Sequence, residues 1–184
     1  VAEAAIKAGA RIVNDISGLA FDRRMAGIVA RYRVPVIIMH IKGTPRNMQD
    51  SPAYTDIMSE ISRYFRERIA LALDRGIDRN QIIVDPGIGF GKMLEDNYEI
   101  INRLAEFRSL GQPVLVGPSR KSFIGKVLGL PPDKRLIGTA ANVTASILNG
   151  ADIGRVHDVA EMKQVALICA CLRPDMSNRD RQGH

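Results

Sequence analysis

The chain has 184 residues, 46% of them apolar, and a formal charge of +6, enough apolar material to bury a substantial core within what is most simply one domain. No run of eighteen apolar residues exists to span a membrane, and the opening VAEAAIKAGA has the pattern of a helix interior rather than of a signal peptide, so a soluble, cytoplasmic protein is expected. The positive charge admits nucleic acid or small phosphorylated ligands. Interleaved aromatics for base stacking are missing, and Arg63, Arg66, Arg68 and Arg75 are mixed with Glu60, Glu67 and Asp74 as on a solvated helix face, so neither nucleic acid nor membrane is expected as a partner.

Along the chain, short β-rich apolar runs alternate with helix-length amphipathic stretches. A partial helix over 1–9 leads into strand 11–14 (RIVN) and helix 22–33. Strand 35–39 (PVIIM) precedes helix 54–75, strand 81–85 (QIIVD) precedes helix 97–109, strand 113–116 (PVLV) precedes helix 134–149, and strand 152–156 (DIGRV) precedes helix 158–172. Gly9, Gly76, Gly111 and Gly150 stand where the preceding helices should stop. Residues 173–184 read as a flexible tail beyond a domain spanning 1–172. Alternating β and α at these spacings predicts parallel strands joined by right-handed crossovers, as in a (β/α) barrel or an open doubly wound sheet. Cys169 and Cys171, two apart in the last helix and on different faces, suit neither a disulfide nor a zinc site.

Each unusual polar cluster follows the carboxyl end of a predicted strand: Asn14-Asp15, His40 to Pro45, Asp85 to Lys92, Gly117 to Ser122 and Arg155 to Asp158. Ligands of parallel α/β folds sit at those ends, so the five loops are expected to converge on one site.

DPGIGFGK (85–92) has alternating glycines, which fail G-x-G-x-x-G, and its Lys92 is followed by Met93 rather than Ser or Thr, so neither nucleotide fingerprint holds. Asp85, closing an apolar strand, either caps its own loop backbone or, partly desolvated, grips an N–C–N edge of a heterocycle with two parallel hydrogen bonds. In RVHD (155–158), Arg155 and His157 alternate and so point to one side of an extended segment, a pair suited to phosphate oxygens. A salt bridge from this segment to Asp152 or Asp158 is the plainer reading. Asn14 and Asp15 alone could merely start a turn, and His40 is equally a ligand contact or a structural hydrogen-bonding group. In GPSRKSFIG (117–125), adjacent cations are either solvated or placed for an anion, with Ser122 at the start of the following helix and Lys121 as a point charge. No serine has an evident triad partner.

Taken in order, NDISG (14–18), MHIKGTP (39–45), DPGIGFGK (85–92), GPSRKSF (117–123) and RVHDV (155–159) closely resemble the dihydropteroate synthase family, from Ile12 to about Leu172. The resemblance implies a TIM (β/α)8 barrel of the pterin-binding type that condenses 6-hydroxymethyl-7,8-dihydropterin pyrophosphate with p-aminobenzoate, giving 7,8-dihydropteroate and pyrophosphate in folate biosynthesis. It implies pterin contacts for Asn14, Asp85 and Lys121, with Met39 and Gly117 as walls of the slot. Arg155 and His157 are implied for pyrophosphate, and Phe90, Lys121 and Ser122 for the aminobenzoate, so that Lys121, Arg155 and His157 are the expected catalytic groups. Sulfonamide inhibitors and a homodimer are further implications.

Family members have eight strands, whereas this chain shows five and opens inside a helix. The first three βα units, carrying a motif that helps hold Mg²⁺, mobile loops and a third-strand aspartate, are therefore expected to be absent, which leaves no metal ligand in this chain and makes it the C-terminal two-thirds of such an enzyme. A methyltetrahydrofolate and corrinoid methyltransferase barrel is a second reading, opposed by GPSRKSF and RVHD. An inactive pterin- or anion-binding remnant is the third.

Overall fold

Residues 1–43, 48 and 52–172 are described by a computed structural model. Thr44 and Pro45 of the MHIKGTP motif and the expected tail at 173–184 lie outside the described residues. In chain order the elements are α1 (Ala2–Lys7), β1 (Val13–Asp15), α2 (Met25–Tyr32), β2 (Val36–Met39), α3 (Ile57–Asp74), β3 (Ile82–Asp85), α4 (Leu94–Asn102), β4 (Leu115–Val116), α5 (Ser122–Leu128), α6 (Leu136–Leu148), β5 (Ile153–Gly154) and α7 (Val159–Leu172).

β1, β2 and β3 pair in parallel in that order, and β4 pairs in parallel with β5. A parallel bridge from Val84 to Val114 joins the two sets. Neighbouring strands therefore follow chain order throughout, with none of the order reversal that a doubly wound sheet requires. Of the two architectures open to the sequence, this is the wall of a TIM-type barrel.

The strands are shorter than their apolar runs. Pro113 has no N–H to offer, and the Val114 N–H donates to the Asp152 carboxylate (2.8 Å) instead of to a strand partner. Ladder pairing of β4 with β5 consequently starts only at Leu115 and Ile153. The run predicted as one helix over 97–109 begins earlier as α4 and tightens into a 3-10 turn over Leu104–Leu110. There the Arg103 side chain is held between Glu99 and Glu106, 2.6 Å from each. α5 is absent from the helices expected along the chain, although Ser122 is expected to open a helix, and the helix does begin there. At Gly125 an added Cβ would meet the Arg135 guanidinium, which would have to shift.

Strand alternation divides the side chains between two faces. Val36, Ile38, Ile82, Val84, Val114 and Val116 join Ile61, Phe65, Ile69 and Phe107 of the helical layer in one buried cluster. Phe65 and Phe107 meet edge to face at 5.8 Å, a favoured aromatic geometry. The opposite face carries Ile37 beside Ile83 and Met39 beside Asp85, and it leads to the ends of the strands where the polar loops emerge. Among the described residues, β1 pairs only with β2 and β5 only with β4, and at these margins Ile12 and Ile153 are 51% and 37% exposed.

Candidate active site

Asp85 ends β3 beside Met39 and is 1% exposed. Its Oδ1 accepts a hydrogen bond from the Gly87 N–H (2.8 Å), and its Oδ2 lies 2.9 Å from Arg155 Nη2. The loop-capping reading of this carboxylate holds for one oxygen, while the other meets the guanidinium of Arg155. Arg155 reaches it from just beyond β5, where its backbone N–H donates to the Val116 carbonyl (3.0 Å). Its Nη1 also donates to Asn14 Oδ1 (3.1 Å) at the middle of β1. The guanidinium rests on Gly117, where an added Cβ would come within 3.1 Å of Nη2. Asn14, Asp85, Gly117 and Arg155 are therefore in one place, and the salt bridge runs to Asp85 rather than to Asp152 or Asp158.

The glycines of DPGIGFGK answer to packing. Gly87 (φ 70°) turns against the His40 carbonyl, with no room for a side chain. Gly89 (φ 79°) lies under the Lys121 stem, where a Cβ would be 2.9 Å from Cδ. Asn97, buried in α4, fixes this loop by accepting from the Gly89 N–H (2.6 Å) and donating to the Met93 carbonyl (2.5 Å). Lys121 stretches over the loop, donates to the Ile88 carbonyl and sits 4.5 Å from the centre of the Phe90 ring, a cation–π contact. Burial pulls its ammonium down to about 8, an effect opposed by Asp85 and reinforced by Arg155.

Beneath the loop lies a second amine. Lys92, 5% exposed, donates to the Phe90 carbonyl (2.9 Å) and lies 3.1 Å from His40 Nδ1. Burial lowers Lys92 to about 7, opposed by Asp85 and Asp96, while Lys121 adds to the fall. Burial, with Lys92 and Lys42 nearby, drives His40 to about 2, so the ring is neutral and its Nδ1 accepts from the ammonium. His40 also meets Tyr64 edge-on at 4.9 Å, so it makes the structural contacts that one of its two sequence readings expected.

The folded-state value of Lys92 is below its ordinary 10.5, so between about pH 7 and 10.5 the unfolded chain binds more protons and stability rises with pH. Lys92→Met is expected to remove a rise of at most about 1.4 kcal/mol per pH unit. Thermal unfolding of the full-length protein at pH 7 and pH 9 measures it, and an unaltered pH slope in the variant contradicts the assignment.

The SRKS run divides its labour. Arg120, in a left-handed conformation (φ 58°), forks onto Asp158 through Nε (3.0 Å) and Nη2, and this bond holds the Asp158 carboxyl below its usual range. The Ser119 hydroxyl, buried, meets the His157 ring at Nδ1 (2.9 Å). Lys121 faces Phe90, and Ser122 is the exposed first residue of α5. His157 is exposed, whereas Met39 is fully buried beneath the rim. The sequence reading gave Lys92, Asn97, Ser119 and the Arg120–Asp158 pair no role in the site. The signal for the last was the placing of Arg120 in SRKS and Asp158 in RVHD, just after adjacent strands.

Among the described residues no group of three or more His, Cys, Asp or Glu could hold a metal ion. No helix of the described residues is long and apolar enough to cross a membrane.

Residues 1–157 match the family described as "Pterin binding enzyme". A dihydropteroate synthase of Synechocystis is 46% identical over 173 residues, 94% of this chain and 60% of the relative. The Yersinia pestis dihydropteroate synthase, solved with a sulfonamide drug complex, superposes with a TM-score of 0.89 at 40% identity over 91% of this chain and 61% of its own. The Thermus thermophilus dihydropteroate synthase in complex with 6HMPPP gives 0.87 at 37% identity over 94% and 68%. The chain spans about 60% of the length of the Synechocystis relative. By that family match, which covers most of its residues, the chain belongs to the pterin binding enzyme family and resembles the dihydropteroate synthases within it.

Proposed function

We propose that the chain forms much of the active-site rim of a dihydropteroate synthase, joining 6-hydroxymethyl-7,8-dihydropterin pyrophosphate to p-aminobenzoate in the cytoplasm. The observation that carries this reading is the buried Asp85 carboxylate, whose outer oxygen is held by a half-exposed, displaceable guanidinium. A pterin presents two parallel N–H donors on its amino-pyrimidine edge, the same donor pattern that Arg155 offers. Asp85 takes that edge, Asn14 and Lys121 add polar contacts, and Met39 and Gly117 bound the slot. Phe90, Lys121 and Ser122 border the aminobenzoate, a position that sulfonamides would share.

Arg155 and His157 then serve the pyrophosphate. The carbon–oxygen bond of the pterin methylene breaks with its electron pair on the departing oxygen, the arylamine nitrogen forms the new bond to carbon, and the amine proton is lost. No protein nucleophile is needed. The rim contributes charge placed where negative charge grows, and alignment of two bound partners. Mg²⁺ would be held by the pyrophosphate oxygens together with ligands outside these residues, and a homodimer is the expected assembly.

Pyrophosphate release by the full-length protein, dependent on both substrates, tests the reading. Pterin binding without release would favour a binding protein instead. For these 184 residues alone, the two strand margins left unpaired among the described residues predict little or no turnover and a tendency to associate, because exposed strand edges recruit other chains. Turnover by a monodisperse 184-residue sample at the rate of the full-length protein would contradict this.

A further inference from the structure

Ser119 and His157 meet where the loops after β4 and β5 run side by side. The Ser119 side chain belongs to a residue only 4% exposed, and its Oγ has two partners: the His157 backbone N–H at 3.2 Å and the His157 ring Nδ1 at 2.9 Å. The backbone N–H can only donate, so it occupies an Oγ lone pair. A serine hydroxyl also has one hydrogen to give. Among the described residues, the acceptor it meets is Nδ1. If Nδ1 carried the ring proton, two donors would point at Oγ and the buried hydroxyl hydrogen would lose its acceptor, which is the costly arrangement.

We infer that Ser119 is a positioning residue that fixes neutral His157 as the Nε2–H tautomer and turns that N–H outward as a hydrogen-bond donor for an anionic leaving group. The bond is held in a rigid frame. One residue further along each loop, Arg120 forks onto Asp158. The Arg120 backbone is fixed in turn from α6 and the turn before it: its N–H donates to Thr139 Oγ1 (3.1 Å), and its carbonyl accepts from Arg135 Nη1 (2.8 Å). Thr139 is fully buried. Two successive cross-loop ties thus hold the imidazole at its Nδ1 side, while the residue as a whole is exposed. A tautomer is set by the hydrogen bond at the other ring nitrogen. The identity of the anion, pyrophosphate, rests on the function proposed above, whereas the tautomer does not.

The test uses ¹⁵N spectra of the His157 ring in the ligand-free full-length protein, assigned by their loss in His157→Asn, at a pH where the ring is neutral. The wild type is expected to show a protonated Nε2 and an unprotonated, hydrogen-bonded Nδ1. Ser119→Ala and Ser119→Cys are both expected to show exchange between tautomers, because a thiol nearly fills the volume but is a weak donor. Both variants should bind pyrophosphate about fivefold more weakly, the scale of one hydrogen bond, with affinity for a pterin lacking phosphate unchanged. A protonated Nδ1 in the wild type, identical spectra in the three proteins, or unaltered pyrophosphate affinity in the variants would overturn the inference. Failure of the wild type to bind pyrophosphate defeats the functional reading instead and leaves the tautomer to stand on its spectrum.

Discussion

Asp85→Asn in the full-length protein is expected to weaken binding of a pterin by about 2 to 3 kcal/mol, roughly 30- to 150-fold, the range for hydrogen bonds to a charged group. The substitution keeps the shape of the side chain and an acceptor for the Gly87 N–H, which now holds Oδ1 at 2.8 Å. It replaces Oδ2 with an amide whose hydrogens face incoming donors. One attractive, charge-assisted contact becomes donor against donor. The same reversal meets Arg155 in the empty site, but that guanidinium is 40% exposed and can turn into water, so the penalty to folding is smaller than the penalty to binding. Calorimetry with a pterin that carries no phosphate measures the effect. Equal affinities for wild type and variant would remove Asp85 from its anchoring role.

The second large effect is selective. Arg155→Ala should cost pyrophosphate binding up to about 3 kcal/mol, near a hundredfold, by deleting a charged fork. A pterin without phosphate should bind the variant no more than severalfold worse. Arg155 now occupies the oxygen that such a ligand needs, so its removal vacates Asp85 Oδ2 while the neighbouring charges of Lys92 and Lys121 remain. The same guanidinium cannot bond Asp85 and also withdraw to serve the leaving group. On the function proposed above, a pterin taking Asp85 Oδ2 would free it for the second task. Comparable losses for both ligands would contradict this division.

Much of the fold was legible because parallel α/β chains write their period plainly: each apolar run became a strand, and Gly9, Gly76, Gly111 and Gly150 all adopt positive φ beyond their helices. Strand length was not legible, since it depends on Pro113 and on the Asp152 carboxylate capturing the Val114 N–H from 38 residues away. The start of α5 at Ser122 was legible, but its end at Gly129, before helix 136–148, was not. For the site, placing the clusters at strand ends brought Asn14, Asp85, Gly117 and Arg155 to one rim. Which cation met which carboxylate was invisible in advance. RVHD names an arginine and an aspartate, yet Arg155 pairs across to Asp85, and Asp158 pairs back to Arg120. Lys92 was passed over because its burial depends on His40, 52 positions earlier in the chain.

The contact between Arg155 and Asn14 joins groups 141 residues apart, and this span carries a kinetic consequence. Closing so long a stretch of chain is entropically expensive and comes after the local βα units have formed, and parallel pairing is slow for the same reason. On a ribosome the arginine emerges after the other three groups of the cluster and can dock only once β4 has given β5 an edge. Until then Asp85 lacks its cation, and a nascent chain with most of its secondary structure in place still has no assembled rim. Closure of the Arg155 contacts with Asp85 and Asn14 therefore reports the last stage of folding in this region.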